Sequence, residues 1–570
     1  MRRLFIPVTL LSVALSVAAC SPTSQNQTTS SDADTLRMLY WQAPTILNPH
    51  LATGFKDFDA ARIVYEPLAS YDQNDQLMPF LAAEIPTVEN GGLAQDGKSV
   101  TWKLKRNVKW ADGELFTAED VVFTYQFIAN PDVAAASAEY YSTIEKVEAV
   151  DDYTVKITFK EPNPGWAEPF TGQNGLILPE HIFAEYNGAN IREAPANQKP
   201  IGTGPYQVVE FKPGDIIIYE PNPNYWDEGK PYFQRIELKG GGDATSAARA
   251  VLQTGDADYA YNLQVEANIL KQLEAGGKGK VLSSFGPYVE RILINFTDPN
   301  QATEDGERSS LKFPHPFFSD AQVRQAFNLA VDRETIATQL YGKTGRPASQ
   351  LLVAPQQYKS NKINYEFNLE KAAALLDEAG WKDTNNNGIR DKNGVEMQVL
   401  FQTSVNPVRQ KTQEIIKQSL ESIGVQVELK SIDASVFFSG DPANTDTLNH
   451  FYADLQMFFT GNDSPDPQAH MKWWTCEEIS KKENDWQKPN YARYCNPKYD
   501  QLWQQASTEL DPEKRAQLFQ QMDELLYTDA AVIPIVDRAS AQGISNRLTG
   551  VQLSPWDANT WNIKDWQISH

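Results

Sequence analysis

The run Asp-Thr-Asn-Asn-Asn-Gly-Ile-Arg-Asp from Asp383 to Asp391 has oxygen-bearing side chains at a spacing that could bind a cation. It follows the first nine positions of a calcium-binding loop. The twelfth position is Gly394, where such a loop needs a bidentate glutamate. We therefore predict a polar turn between a helix over 369–379 and a strand that starts at 397, with calcium binding as the alternative.

Signatures of catalysis are absent from the sequence. It has neither a Gly-x-Ser-x-Gly nor a His-Glu-x-x-His motif, and its six histidines are scattered without metal-ligand spacing. Gly342-Lys343-Thr344 resembles the end of a phosphate-binding loop, but Ala337 stands where that motif needs glycine. We expect no cofactor, no metal and no enzymatic activity. A secreted hydrolase, which would turn over a peptide or ester, stays an alternative.

The N-terminus has the pattern of an export signal. Two arginines precede an apolar run from Leu4 to Val17, which is too short to span a membrane. We predict a signal peptide over 1–19. The small residues before Cys20 resemble a lipoprotein signal, in which Cys20 is acylated and becomes the first mature residue; a plain signal peptide is the alternative. Residues 20–34 are polar and predict a flexible tether.

Two further cysteines, Cys476 and Cys495, complete the set. An exported chain meets an oxidising compartment, so we predict a disulfide between them. Closing a loop of about 20 residues would stabilise the fold by about 3 kcal/mol. Two free thiols are the alternative, and a zinc site is disfavoured because no histidine accompanies the pair at metal-ligand spacing.

The charge and the aromatic content restrict the partners. The chain has 570 residues and a formal net charge of −23. Such an acidic chain lacks the basic patches that nucleic acids and anionic lipid surfaces require. The 13 tryptophans and 23 tyrosines are expected to pack cores and domain contacts, and some to form apolar walls of a binding cleft.

Periodicity and turn residues predict a mixed α/β chain. An apolar-polar alternation recurs in short segments, and helix starts are marked by Ser, Thr, Asn or Asp. One βαβ unit is predicted in the chain. It consists of a strand, a helix that is capped by Asn406 and has Pro407 as its first residue, and a second strand. The predicted elements are strands at 36–40, 207–211, 216–219, 397–401 and 425–429, a helix ended by Gly424, and helices beginning at Thr117, Ser319 and Asp511.

Four blocks occur in a characteristic order along the chain. They are Trp110–Thr124, with an Asp-Gly turn and a capping box, Gly-Thr-Gly-Pro-Tyr at 202–206, Asn-Pro-Asn-Tyr-Trp at 222–226, and the segment 323–333. Together they resemble the family-5 solute-binding proteins of ABC importers, which is the peptide/nickel/opine-binding group. The resemblance extends over residues 36 to 540.

The resemblance implies an α/β, two-lobed fold of the periplasmic-binding-protein type (type II), with a hinge and an extra inserted domain. In that family the chain crosses twice between the lobes. The implied division is lobe I at 35–65, 195–290 and 535–570, an inserted small domain at 66–194, and lobe II at 291–534.

The function that the resemblance implies is capture and delivery. An exported, lipid-anchored monomer in the periplasm or on the outer face of the cytoplasmic membrane would close over an oligopeptide and deliver it to ABC permease subunits. The lipid anchor would be its sole membrane contact. Within the same role, the ligand could instead be a nickel chelate, an opine, a sugar or haem, because family members share the fold and the residues of the site determine which ligand binds. A peptide sensor that feeds no transporter is a further alternative.

The resemblance also selects candidate ligand-binding residues. Peptide-binding members have an Asp in the segment that here reads Thr460-Gly461-Asn462-Asp463, and its carboxylate pairs with the peptide α-ammonium. Asp463 is the candidate. The segment has one residue more than the family pattern, so Asn462 is the alternative. A third reading is that Asp463 merely shapes the turn.

Further candidates are cations and aromatic side chains. Dipeptide binders place an arginine near the position of Thr403, so its absence favours a longer peptide or a ligand without a carboxylate. Substitutes for that cation are Arg409 and Arg493. The candidate aromatic walls of the cleft are Trp473, Trp474, Tyr40, Trp41 and Phe55.

Overall fold

The computed structural model describes residues 34–52, 54–439 and 441–569. The predicted signal peptide, Cys20 and nearly all of the tether lie outside the described residues. Within the described ranges, no helix is both long and apolar enough to cross a membrane.

Short strands alternate with two unusually long ones. The strands are β1 (Thr35–Tyr40), β2 (Ala69–Tyr71), β3 (Leu77–Pro79), β4 (Ser99–Lys103), β5 (Ile144–Asp151), β6 (Thr154–Phe159), β7 (Tyr206–Lys212), β8 (Ile216–Pro221), β9 (Arg235–Gly240), β10 (Tyr259–Ala260), β11 (Gly279–Ile294), β12 (Gly345–Pro347), β13 (Asp391–Lys392), β14 (Val395–Glu396), β15 (Gln398–Ser404), β16 (Gln426–Ile432), β17 (Leu455–Thr460), β18 (Val532–Ser545), β19 (Leu548–Thr549) and β20 (Gln567–Ile568).

The α-helices lie between these strands. They are α1 (Phe55–Arg62), α2 (Ala118–Ala129), α3 (Glu180–Phe183), α4 (Ala244–Arg249), α5 (Ala267–Glu274), α6 (Ala321–Leu329), α7 (Arg333–Ile336), α8 (Leu369–Glu378), α9 (Pro407–Ser422), α10 (Ala434–Phe437), α11 (Gln468–Lys472), α12 (Pro497–Ala506) and α13 (Pro512–Thr528).

One mixed sheet connects both halves of the molecule. Its order is β16-β15-β17-β11-β18-β10-β1-β9-β8-β7, and β12 adds to β18. We call the half with β10, β1, β9, β8 and β7 lobe I, and the half with β16, β15 and β17 lobe II. The α/β fold is therefore two-lobed, as predicted.

The strands β11 and β18 pass side by side from one lobe to the other. They pair in antiparallel register from Gly279 opposite Ser545 to Leu293 opposite Val532, with an irregularity between Phe285 and Val289. A break in regular pairing between two lobes is a place where backbone angles can change without disturbing either lobe. We therefore assign the hinge to this part of β11 and the facing residues of β18.

A separate three-stranded sheet, β4-β6-β5, lies between β1 and β7 in the chain. Helix α2 packs on it and starts with the predicted capping box, in which Thr117 and Asp120 each bond to the other's backbone. We call residues 66–194, which contain this sheet, the inserted domain. Those exact bounds, like the other segment bounds implied by the resemblance, stay a prediction.

The predicted βαβ unit is present in lobe II. Strands β15 and β16 are parallel, and Asn406 caps α9 by accepting from the backbone N–H of Arg409. Gly424 follows α9 with a φ of 85°, a conformation that suits glycine. The predicted strand β1 and the hairpin β7–β8 are also confirmed.

The start of α6 was predicted one residue too early. The N-cap is Asp320, not Ser319, and its carboxylate accepts from the backbone N–H of Gln322. Both residue types cap helices well, but an ionised carboxylate also interacts favourably with the positive end of the helix dipole.

The hydrophobic cores are distributed by lobe. One core joins lobe I and the inserted domain, and includes Met38, Trp102 and Trp566. Lobe II has two cores, one under the βαβ unit and one around α12 and α13. Since the large cores do not continue from one lobe to the other, the lobes can move as separate bodies about the hinge.

Candidate functional site

A cavity of about 540 Å³ lies between the inserted domain and lobe II. The inserted domain contributes residues around Tyr140 and Glu168, and lobe II contributes the segments 461–473 and 478–489. The lining residues are Ala136, Glu139, Tyr140, Glu168, Gly461, Asn462, Asp463, Asp466, Ala469, His470, Lys472, Trp473, Glu478, Asn484, Gln487, Lys488 and Pro489. The predicted binding segment therefore lies at the cavity between the two bodies.

Asp463 faces the inserted domain from the turn after β17. Its Oδ2 accepts a hydrogen bond from the hydroxyl of Tyr140 at 2.5 Å. Burial raises the pKa of Asp463, and the Tyr140 hydrogen bond lowers it by a smaller amount. In the described part of the chain no lysine, arginine or histidine forms an ion pair with this carboxylate. The site thus holds a partly buried acceptor without a counter-cation.

The residues around Asp463 are held by close backbone contacts. A side chain at Gly461 would place its Cβ 2.3 Å from the carbonyl oxygen of Pro287 in β11, so this position requires glycine. Asn462 is buried, and its amide donates to the carbonyl of Ser464 at 2.8 Å. Thr460 ends β17, and its buried hydroxyl has no hydrogen-bond partner. The turn therefore touches the hinge strand directly.

A second acidic group, which the sequence did not single out, lies beside this turn. Glu168 of the inserted domain accepts from the hydroxyl of Ser464 at 3.2 Å. Burial, together with the nearby charge of Asp466, raises the pKa of Glu168 well above its usual range. Asp466 forms a two-fold ion pair with the guanidinium of Arg515, which lies behind it in α13.

Lysines are found at the outer part of the cavity. Lys472 binds Glu139 of the inserted domain at 2.8 Å and Glu478 at 3.4 Å, and Lys488 binds Glu478 at 3.0 Å. These pairs neutralise the outer carboxylates. Burial and the charge of Arg291 lower the pKa of His470 to about 3, so its ring is neutral near pH 7.

An aromatic cluster lies where the lobes meet. Phe55 of α1, Tyr288 of β11 and Phe459 of β17 have ring centroids 5.5 to 6.3 Å apart. They line a second cavity of about 50 Å³ together with Arg538 of β18. Burial and the charge of Asp463 raise the pKa of Tyr288, and the charge of Arg538 lowers it by a smaller amount.

Arg538 is a cation that sequence reasoning missed. Its Nη2 donates to Asn262 at 2.8 Å, and its guanidinium lies 4.5 Å from the ring centre of Phe459. Among the described residues no carboxylate lies within ion-pair distance of it. The guanidinium can therefore donate hydrogen bonds to a ligand oxygen in the aromatic cavity.

The family comparison agrees with this geometry. The family model described as "Bacterial extracellular solute-binding proteins, family 5 Middle" matches residues 76–481, which is more than half of the chain. The chain belongs to the family-5 extracellular solute-binding proteins. The predicted resemblance is confirmed, and the family is one of binding proteins.

Relatives of this family-5 protein match it over nearly its whole length. The oligopeptide-binding protein AppA of Bacillus subtilis is 28% identical over 92% of this chain and 90% of its own. Its structure with a nonapeptide has a TM-score of 0.77 at 26% identity and covers 94% of this chain and 99% of that one. NikZ of Campylobacter jejuni, in complex with Ni(L-His), has a TM-score of 0.78 at 24% identity, covers 94% of this chain and 99% of its own, and supports the fold alone.

The two arginines proposed as substitute cations have protein partners in this family-5 protein. Arg409 forms a buried ion pair with Glu290, with Nε and Oε1 2.6 Å apart. Arg493 is buried in lobe II and donates to the carbonyl of His450 at 2.8 Å. Neither of them lines the main cavity as described, although Arg409 borders a small space beside Arg538.

The proposed aromatic residues lie in different environments. Trp473 lines the main cavity, whereas Trp474 is buried in a lobe II core. Tyr40 is buried, and its ring stacks on Tyr261 of the aromatic cavity at 4.5 Å. Trp41 donates to the carbonyl of Asn262, next to Arg538. Tyr40 and Trp41 therefore support the wall of the aromatic cavity from behind.

Two other predicted features lie away from the cavity. Cys476 and Cys495 form a disulfide in lobe II. In the loop 383–391, the carboxylate of Asp383 accepts from the backbone N–H groups of Asn387 and Gly388. The loop thus has the internal hydrogen bonds of a polar turn.

Proposed function

We propose that this protein is the substrate-binding component of an ABC importer that captures oligopeptides outside the cytoplasm and delivers them to a membrane permease. The observation that carries the proposal is Asp463, a partly buried carboxylate without a counter-cation at the cavity between the inserted domain and lobe II. A peptide α-ammonium supplies the missing charge. Family membership and the oligopeptide-binding relative AppA support the same function.

The mode of binding follows from the contacts across the cleft. Tyr140 to Asp463, Glu168 to Ser464 and Glu139 to Lys472 join the inserted domain to lobe II. A ligand that bridges the same surfaces stabilises the closed arrangement relative to the open one. The permease would then recognise the closed form.

The end of the peptide opposite its α-ammonium lies toward Arg538. Asp463 lines the main cavity and Arg538 lines the aromatic cavity together with Tyr288 and Phe459, so the cleft has a negative region and a positive region. A peptide has a matching polarity, with an ammonium at one end and carbonyl or carboxylate oxygens beyond it. Thr403 is uncharged, and its buried hydroxyl donates a hydrogen bond to the carbonyl of Met457.

We expect the Arg538→Gln variant to bind peptides about tenfold more weakly, which is the loss of one charge-assisted hydrogen bond. Calorimetric titration with a peptide and its C-terminal amide measures this loss. A larger loss for the free acid identifies a carboxylate as the partner, and an equal loss identifies a backbone carbonyl. Unchanged affinity for both peptides would remove Arg538 from the site.

Acylation of Cys20 would hold the protein at the membrane. We expect the Cys20→Ser variant to be exported and to appear in the soluble extracytoplasmic fraction, whereas the parent protein stays with the membranes. Fractionation followed by mass analysis of the mature N-terminus checks this prediction. A parent protein whose N-terminus carries no lipid would contradict it.

Native mass spectrometry of protein purified from an exporting host tests the proposed function. Extra mass that fragments into peptide ladders would support peptide capture and give the length range. A single non-peptide adduct, such as a nickel chelate, would replace the peptide while leaving the importer role. Hydrolysis of added peptides during incubation would favour a hydrolase instead.

A further inference from the structure

The main cavity has more carboxyl groups than its own lysines can balance. Five carboxylates line it, Glu139, Glu168, Asp463, Asp466 and Glu478, against two lysines. Lys472 and Lys488 pair with the outer carboxylates, and Arg515 pairs with Asp466 from behind.

Two inner carboxylates remain without a cation. Glu168 accepts from Ser464, the residue that follows Asp463, and in the described ranges neither Glu168 nor Asp463 has an ion-pair partner. Their hydrogen-bond donors are the neutral hydroxyls of Ser464 and Tyr140. Both groups are partly buried, and removing a carboxylate from water without a partner costs free energy.

The cavity lining also includes a side-chain oxygen that lacks a hydrogen-bond donor. Asn462 is 2% exposed, and its Oδ1 has no hydrogen-bond partner. Its Nδ2 faces the carbonyls of Ser464 and Ala354, which fixes the orientation of the amide. The free atom is therefore an acceptor, and Asn462 lines the same cavity as Glu168 and Asp463. A donor-rich cation, such as an ammonium or guanidinium, would satisfy all three groups.

We propose that the preferred ligand is a peptide whose first residue is lysine or arginine. The α-ammonium binds Asp463, and the side-chain cation binds Glu168 with help from Asn462. This inference rests on the proposed peptide-binding function and specifies the substrate class of the same site. It explains why two acidic groups line one cavity without an ion-pair partner among the described residues.

Proton release on binding follows from the same arrangement. Burial holds the pKa of Glu168 above its usual range in the empty cavity, and a bound cation lowers it again. Near neutral pH, a lysine-first peptide therefore displaces a proton from Glu168, and its affinity rises as pH rises. The charged and titratable groups facing Glu168 are Tyr71, Tyr140, Asp463, Asp466 and Arg515.

The test uses matched peptides that begin with lysine or with norleucine, which has the same carbon chain without the charge. A dipeptide, a pentapeptide and a nonapeptide of each kind are titrated by calorimetry in two buffers of different ionisation enthalpy. We expect the lysine peptides to bind about tenfold more tightly than their norleucine partners. We also expect more proton release with lysine.

The decisive variant is Glu168→Gln, which keeps the shape and the hydrogen bond from Ser464 but removes the charge. It should reduce the lysine-to-norleucine affinity ratio to near one. The matched control is Glu145→Gln, which removes an exposed charge of the same domain and should keep the ratio. Circular dichroism and a melting curve confirm that both variants fold.

The outcomes separate this inference from the proposed function. Peptides that bind without preference for lysine, or an unchanged ratio in Glu168→Gln, would overturn the inference and leave peptide capture intact. Absence of binding by every peptide of either kind would overturn both.

Discussion

Replacing Asp463 with asparagine is expected to weaken peptide binding about a hundredfold. Asparagine keeps the acceptor for the hydroxyl of Tyr140 but removes the charge that pairs with the α-ammonium. Asp463 is partly buried between two bodies, so the lost ion pair contributes more to the free energy of binding than a fully exposed pair would. Calorimetric titration with a peptide and with its N-acetylated form measures the effect, because acetylation removes the same interaction from the ligand side.

Two control variants make this result specific. Asp132→Asn removes an exposed charge of the inserted domain and should leave the affinity as it is. Asn462→Ala tests the alternative that the extra residue in the segment brings Asn462 to the ammonium. If Asn462→Ala loses more affinity than Asp463→Asn, the roles of the two residues are exchanged. If Asp463→Asn lowers the peptide affinity less than about threefold, Asp463 shapes the turn and does not bind the α-ammonium.

Breaking the buried ion pair between Arg409 and Glu290 is expected to destabilise the protein by about 3–5 kcal/mol. Arg409 lies in the first turn of α9 and binds Glu290 of β11 through Nε at 2.6 Å, and its Nη1 donates to Ser404 at 2.8 Å. The variant Arg409→Met leaves the Glu290 carboxylate buried without its partner. Urea unfolding of the ligand-free protein, followed by circular dichroism, measures the change in free energy.

The double variant Arg409→Met with Glu290→Leu provides the internal comparison. It removes both charges and fills the space with apolar groups, so most of the lost stability should return. The matched control is Lys411→Met on the same helix, which breaks the half-exposed pair with Glu266 and should cost under about 1 kcal/mol. Equal losses of stability in Arg409→Met and Lys411→Met would show that the buried ion pair stabilises the protein no more than the half-exposed one.

Local sequence patterns predicted the elements well because their causes are local. The capping box at Thr117, the cap and proline at the start of α9, and the glycine after it each act within a few residues. The hairpin β7–β8 and the parallel pair β15–β16 also follow from short alternating segments and their connections. The slip at the start of α6 arose where two good capping residues are adjacent, and the strands predicted at 397–401 and 425–429 begin one residue later and end three residues later.

The family blocks led to the binding segment but not to its surroundings. Asp463 and Asn462 were identified because they follow a recognisable order of residues. Glu168, Arg515 and Arg538 were missed, since isolated acidic and basic residues are common in a chain with 74 acidic and 51 basic side chains. A charge becomes informative when its burial and its partners are known.

The sequence by itself determined the family, the two-lobed α/β architecture and the segment that forms the cavity wall. The tertiary structure decided which charges meet there. The hydrogen bonds from Tyr140 to Asp463 and from Ser464 to Glu168 join residues 323 and 296 positions apart in the chain. Such pairs depend on how two separately packed bodies face each other across the hinge, and no local pattern of residues encodes that distance.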